Sequence, residues 1–217
     1  MLVTAHSGSE KTKPNSREYL NDIMSGKIEA DVFEVDVRCR KGRLYLSHYP
    51  ALFMKNKVPL VDALSILKKK DIKINLDIKE HGIFSAVQDL VASMGLDKQV
   101  IYTGNVSPKD AKKLIAGVLY ANVNPFCKGL RPVPEDAVAL KEALEKHGER
   151  VVGLNINYKW TEPKFYAAAA EAGLNLSVYT VDDPIALEKL SQYTFANLTT
   201  HYPKDARFYF KENDKNG

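Results

Sequence analysis

Cysteine is nearly absent from this chain. Its 217 residues include two, Cys39 and Cys127, far apart and in different predicted elements. That is no disulfide framework and too few thiols for a structural zinc site, so both are read as free. Long apolar runs are missing as well, and no stretch approaches membrane-spanning length, so no stable membrane insertion is expected. The chain enters Leu2-Val3-Thr4-Ala5 almost at once, with no basic segment leading into a long apolar one. No secretory signal is therefore visible, and the expectation is a cytoplasmic protein. Charge of one sign does not dominate either. The net charge is +4 and the lysines are scattered (Lys68 to Lys70, Lys112 with Lys113, Lys211) rather than gathered into a stripe interleaved with aromatics. A nucleic-acid partner is not expected, whereas a small anionic ligand stays open. With 45% hydrophobic and 27% charged residues, neither disorder nor a fibrous class is indicated.

Short apolar strands alternate with amphipathic helical stretches, the pattern of a parallel α/β protein. Strands are predicted at Leu2–His6, Val32–Arg38, Lys73–Lys79, Gln99–Thr103, Leu119–Val123, Val151–Asn157, Leu174–Val181 and Ala196–Thr200. Three- and four-residue spacing of apolar side chains predicts helices at Leu60–Lys70, Ile83–Met94, Pro134–His147, Glu162–Ala172 and Pro184–Gln192. Gly95, Gly148 and Gly173 sit where helix C-caps are needed, and Ser107-Pro108, Thr161 and Asp183-Pro184 where helices open. Eight strand–helix units in this length imply a single-domain (β/α)8 TIM barrel over residues 1–210, with a short hairpin after the second strand and no large insertion. A polar, frayed tail is expected at 211–217.

The second strand carries the first chemical signal. Val32-Phe33-Glu34-Val35-Asp36-Val37-Arg38 has strand composition, yet holds two carboxylates two residues apart. Side chains at i and i+2 point to one face of a strand, roughly 6.5 Å apart along the chain. Glu34 and Asp36 thus project together, opposite to Phe33, Val35 and Val37. By itself this is an acidic face of a half-exposed strand; with further ligands it suits a hard cation. In a TIM barrel the active site lies at the carboxyl ends of the strands, and those ends are unusually polar. His6 closes the first strand, Asp77 and Lys79 share a parity late in the third, Asn155 and Asn157 close the sixth, and Tyr179 lies late in the seventh. The hairpin after the second strand brings back His48. Carboxylates without thiolates favour Mg2+ or Ca2+ over zinc. A divalent ion with two histidines has the parts for phosphoryl transfer without a covalent enzyme intermediate. His81, His147 and His201 are each expected to be structural.

These residues resemble the motifs of the glycerophosphodiester phosphodiesterase family, within the wider group of phosphatidylinositol-phospholipase-C-like barrels. The family's His-Arg-Gly is similar to His6-Ser7-Gly8, its Pro-Glu-Asn-Thr to Pro14-Asn15-Ser16, and its Glu-x-Asp to Glu34 and Asp36. Its Gly-turn leading to His-Asp resembles Lys41-Gly42 through His48-Tyr49, and its Glu-Ile-Lys resembles Asp77-Ile78-Lys79. Its Trp-Thr-Val resembles Tyr179-Thr180-Val181, and its Thr-Asp-x-Pro resembles Thr200-His201-Tyr202-Pro203.

The resemblance implies a TIM-barrel phosphoric diester hydrolase of lipid metabolism, acting on a glycerophosphodiester or related small phosphodiester. Glu34, Asp36 and Asp77 would hold a divalent metal, Mg2+ or Ca2+, and His6 and His48 would be the acid–base pair. Lys79 would touch the phosphate. From their places on the rim, and for Trp160 on the loop after the sixth strand, Asn155, Tyr179 and Trp160 are expected to contact substrate. The family route runs through a cyclic phosphate opened by water. Ser7 departs from the family, because a hydroxyl offers neither the charge nor the bidentate fork of the arginine expected there; Lys11, Lys13, Arg131 or Lys159 would have to supply that charge. Asp77 is one methylene shorter than the usual glutamate. Only Ala51 to Pro59 separate His48-Tyr49-Pro50 from the next helix, which predicts an open pocket. Two alternatives follow from the departures: a catalytically weak barrel that binds a phosphorylated ligand, or a lyase-type enzyme that releases the cyclic phosphate.

Overall fold

Strand β1 (Leu2–Ala5) starts a β/α succession that returns to it through the β1–β9 pairing. The computed structural model describes residues 1–70 and 72–213. Helix α1 (Arg17–Ser25) leads into β2 (Val32–Arg40), which turns back on β3 (Arg43–Leu46). There follow α2 (Leu60–Lys70), β4 (Lys73–Ile78), α3 (Phe84–Ser93), β5 (Val100–Gly104), α4 (Pro108–Ala111), β6 (Val118–Asn122) and the single turn α5 (Val123–Phe126). The rest is α6 (Ala137–Glu145), β7 (Val151–Asn157), α7 (Pro163–Glu171), β8 (Leu176–Tyr179), α8 (Pro184–Leu190), β9 (Asn197–Thr200) and α9 (Pro203–Asn213). Helix α9 takes in the first three residues of the expected tail; 214–217 lie outside the described residues.

The strands hydrogen-bond in the order β1-β9-β8-β7-β6-β5-β4-β2, and the β1–β2 pairing closes the ring. All eight pairings of the ring are parallel, whereas β3 lies outside it, antiparallel to β2. This is the (β/α)8 barrel that the alternation predicts. Strand β2 runs two residues beyond the expected Arg38 because β3 supplies partners as far as Arg40↔Arg43. Helices α1 and α9 were not among those predicted. Thr161 does not cap α7 as expected: its hydroxyl donates to Asn157 O (2.9 Å), and the helix opens at Pro163. Ser107 and Asp183 do cap, accepting from Asp110 N and Ile185 N.

Strand parity divides the interior into two chemistries. Phe33, Val35, Val37, Ile74, Leu76, Ile78, Leu154 and Ile156 face outward into one continuous apolar layer shared with the helices. Inside the ring, the end near the strand N-termini is plugged by Val32, Ile101 and Tyr120, with Leu2, Val118, Val152 and Ala196 against them. Val152 reaches this plug although its parity opposes that of Asn155, because the register steps between Leu119↔Val151 and Tyr120↔Gly153. Above the plug the interior turns polar while staying buried. Thr4 Oγ1 donates to Asn197 Oδ1 (2.6 Å), Asn197 Nδ2 donates to Ser177 Oγ (2.9 Å), and Thr103 Oγ1 donates to Asn75 Oδ1 (3.1 Å). A belt of paired polar groups thus separates the apolar floor from the rim and satisfies side chains that water does not reach.

Removing the centre of that belt leaves two partners stranded. Asn197→Ala is expected to cost about 2–4 kcal/mol, because the buried Thr4 and Ser177 hydroxyls both lose a partner; the check is the urea midpoint of the variant against the natural chain.

Candidate active site

The rim at the strand C-termini gathers the predicted residues other than Trp160. Glu34 and Asp36 lie on β2, only 4% and 1% exposed. Asp77 lies opposite Asp36 in the β2–β4 register. Among the described residues these three form an acidic group whose oxygens lie within 4.8 Å of one another. Lys79 follows β4 and places Nζ 2.9 Å from Asp36 Oδ1 and 2.5 Å from Asp77 Oδ2. His6 Nε2 is 3.6 Å from Glu34 Oε1, and His48 Nδ1 is 3.5 Å from Asp36 Oδ1. Each imidazole thus stands beside a different carboxylate of the acidic group.

Glycine fixes one side of it. Gly104, at φ +87°, ends β5 beside Asp77, and a Cβ there would fall 2.1 Å from Asp77 Oδ1 and 2.4 Å from Ile78 O. No other residue admits that approach without moving the carboxylate.

The electrostatics are unbalanced. Burial raises the pKa of Glu34 well above the usual carboxylate range, and the charges of Asp77 and Asp36 add to this. Burial also pushes Asp36 upward, but the Lys79 charge, the Asn15 hydrogen bond and His48 outweigh it and hold the carboxyl below its ordinary value. For Lys79, burial alone would favour loss of its proton; Asp77 and Asp36 prevail and raise it. One ammonium serves three carboxylates. Asp36 Oδ1, although in ion-pair contact with Lys79, accepts no well-directed hydrogen bond among the described residues. A buried all-oxygen set with surplus negative charge and an orphaned acceptor fits a hard divalent cation such as Mg2+ or Ca2+.

Three residues that sequence reasoning did not assign to the site complete it. Asn15 clasps Asp36 twice, its Nδ2 donating to Oδ2 (2.6 Å) and its Oδ1 accepting from Asp36 N (2.9 Å). Ser7, where an arginine was expected, is buried and its Oγ accepts from Asn15 N (2.9 Å). Ser7 thus fixes the loop that fixes the carboxylate. His201, expected to be structural, packs its ring 4.3 Å from that of His6. Its Nδ1 lies 2.8 Å from Asp182 Oδ2, while Asp182 Oδ1 accepts from His201 N and Thr200 Oγ1. The signal for His201 was its position directly after a rim strand; that for Asp182 was hidden beside the helix cap Asp183.

Two cavities meet at the histidines. An inner one of about 350 Å3 opens among Glu34, Asp77, Lys79, Asn155 and Tyr179, with His6 and His48 at its mouth. An outer groove of about 940 Å3 is bordered by the same two histidines and by Lys13, Arg17, Lys55 and Lys57. Trp160 stands 81% exposed on the turn after β7, and it lines neither cavity. Of the lysines and arginine considered for the missing charge, Lys13 borders the outer groove; Lys11, Arg131 and Lys159 border neither. His81 is exposed, and His147 packs edge-on against Phe126, away from the site.

The barrel and its rim define a class, a closed (β/α)8 fold with an acidic, histidine-flanked mouth. Solved structures of the same shape include a glycerophosphodiester phosphodiesterase from Parabacteroides distasonis, at 20% identity, TM-score 0.75 and 98% coverage of both chains. A putative glycerophosphoryl diester phosphodiesterase from Agrobacterium tumefaciens matches at 12% identity, TM-score 0.76 and 99% coverage of both chains. A phosphodiesterase from Oleispira antarctica, in complex with the product sn-glycerol-3-phosphate, matches at 16% identity, TM-score 0.72 and 97% coverage of both chains. No protein-family profile matches the chain. No curated protein sequence matches it either. The likeness is therefore one of fold over the whole chain.

The charge surplus has a measurable sign. Because Glu34 has its folded-state pKa raised, it contributes stability below the ordinary carboxylate range that is lost as pH rises through the raised value. In chelator at neutral pH, Glu34→Gln is expected to stabilise the protein by about 1–3 kcal/mol by removing a buried charge. Mg2+ or Ca2+ should raise the melting temperature of the natural chain and do so far less in the variant. Thermal melts with metal and with chelator, across pH, decide it; a Glu34→Gln chain that melts lower than the natural one in chelator contradicts the charge surplus.

Proposed function

We propose that the protein is a metal-dependent phosphodiesterase that cleaves glycerophosphodiesters, or closely related small phosphodiesters, to an alcohol and a phosphomonoester. The observation that carries this reading is the pair of imidazoles, His6 and His48, each beside a different carboxylate of one buried cluster and both lining the same cavity. The whole-chain likeness in fold to glycerophosphodiester phosphodiesterases, one of them holding sn-glycerol-3-phosphate, supports it.

Glu34, Asp36 and Asp77 would hold the divalent ion, which when bound supplies Lewis-acid neutralisation of the phosphate and eases ionisation of an attacking hydroxyl. His6 takes the proton of the glycerol hydroxyl next to the phosphate as that oxygen attacks phosphorus. His48 gives a proton to the departing alkoxide, so that the P–O bond to the alcohol breaks and a cyclic phosphate remains. In the second step the roles reverse: His48 takes a proton from water, which attacks phosphorus, and His6 returns one to the glycerol oxygen as the ring opens. The exposures suit this order, since the His48 side chain is half exposed, where alcohol leaves and water enters, and that of His6 is 22% exposed against Glu34. His201, tied to Asp182, packs on the His6 ring and restricts its orientation. Lys79 contributes its charge to the phosphate from the cluster's edge, and Asn155 and Tyr179 offer polar groups to the glycerol end in the inner cavity.

The test is release of glycerol 3-phosphate from a panel of glycerophosphodiesters with Mg2+, Ca2+ or chelator. Release should require metal and fall by roughly 10²–10⁴-fold in His6→Ala and in His48→Ala, with their melting temperatures little changed. Phosphorus NMR of the products reads the end point: a cyclic phosphate that accumulates unopened points instead to the lyase. Metal binding without any diester cleavage would leave a ligand-binding barrel.

A further inference from the structure

Between Asp36 and Asp62 the chain has six lysines and arginines and no acidic residue. The loop after β3 lies in this stretch and carries Tyr49, Leu52 and Phe53 at 75%, 77% and 81% exposure. Single exposed apolar side chains are ordinary on a protein surface; three within five residues are not. Nor is the tip an unanchored loop. Ala51 is buried, its N donating to the buried Tyr45 hydroxyl (3.0 Å) and its carbonyl accepting from Arg40 Nη1. On the far side Lys57 N donates to Met54 O (3.1 Å), Lys57 Nζ donates to Ser47 Oγ (2.8 Å), and Leu46 N donates to Val58 O (2.9 Å). Pinned at both ends, the backbone holds Leu52 and Phe53 out to solvent with Lys55 beside them.

We propose that this loop, Tyr49 to Lys57, is a docking element for an anionic phospholipid surface, with Leu52 and Phe53 entering the headgroup boundary and Lys55 meeting lipid phosphates. Charge and apolarity select this occupant together. Exposed aromatic and aliphatic side chains next to lysines, without acidic residues, match the interface of an anionic bilayer, whereas lysine is depleted from the centres of protein–protein interfaces. No helix among the described residues is long and apolar enough to cross a membrane, so the contact is peripheral. Tyr49, Lys55 and Lys57 also border the outer groove, so docking brings that groove to the lipid surface. The docking itself does not depend on the proposed chemistry.

Cosedimentation of the full chain with vesicles tests it, using phosphatidylcholine alone and an equal mixture with phosphatidylglycerol. The natural chain should pellet with the mixture, weakly or not at all with phosphatidylcholine, and less at high salt. Leu52→Ser with Phe53→Ser should lower partitioning by at least about tenfold, and Lys55→Gln by about fivefold on the anionic mixture only. Melting temperatures should hold, since these side chains are exposed. The proposal is overturned if the natural chain stays in the supernatant with anionic vesicles, or if the double variant pellets as well as the natural chain. It is equally overturned if the tip serves a dimer instead, seen as self-association that the double variant abolishes without any vesicle binding.

Discussion

The rim depends on how three carboxylates are kept together out of water. Glu34, Asp36 and Asp77 repel one another, and burial penalises each charge, so the arrangement exists only because surrounding groups hold it. Lys79 neutralises part of the charge at 2.5 and 2.9 Å. Asn15 holds Asp36 through both side chain and backbone. The rest of the imbalance falls on Glu34, whose proton affinity rises most clearly. Such a cluster holds an electrostatic strain that a divalent ion, if bound, would offset, and sites of that kind are commonly the least comfortable part of a fold.

Holding the cluster dictates much of what lies beneath it. A barrel interior that is apolar throughout would present the carboxylates with nothing but hydrocarbon below. Here Thr4, Asn75, Thr103, Ser177 and Asn197 form the intervening layer, buried and mutually hydrogen-bonded. Charged groups at the top, paired neutral polar groups in the middle and the Val32, Ile101 and Tyr120 plug at the bottom make a graded interior. The Ser7–Asn15–Asp36 chain of hydrogen bonds extends this support sideways, from the loop after β1 to the middle of β2.

Periodicity made the barrel legible. Eight apolar strand segments, five of the stretches between them carrying apolar side chains at three- and four-residue spacing, gave the pattern, and the parity of Glu34, Asp36, Asp77 and Asn155 placed them on the inner face of the ring. What stayed hidden depends on contacts rather than on pattern. Ser7 looked like the loss of a cation, because nothing in the sequence reveals that its hydroxyl would accept from Asn15 N. His201 looked like one more structural histidine, because its partner Asp182 lies nineteen residues away and the neighbouring Asp183 already had a role as a helix cap. Trp160 was expected to contact substrate from its place after the sixth predicted strand, but position in the chain gives no side-chain direction, and its turn after β7 carries it into solvent.

The short connection after β3 has a consequence for the geometry of cleavage on the proposed reading. With only a pinned loop between β3 and α2, the mouth has two compartments that share His6 and His48 as their common wall. The inner one is lined by amides, hydroxyls and carboxylates, with the Lys79 ammonium among them. The outer one is wide and bordered by Lys13, Arg17, Lys55 and Lys57, with the ring of Tyr49 at its edge. A diester spanning both compartments would set its scissile bond between the histidines, with the glycerol side in the narrow polar cavity and the leaving alcohol in the groove. Discrimination would then differ between the two ends. The inner cavity, small and densely polar, rejects groups that leave its buried polar atoms unpaired. The groove, open and cationic, would constrain the alcohol mainly by charge, favouring leaving groups that carry anionic character.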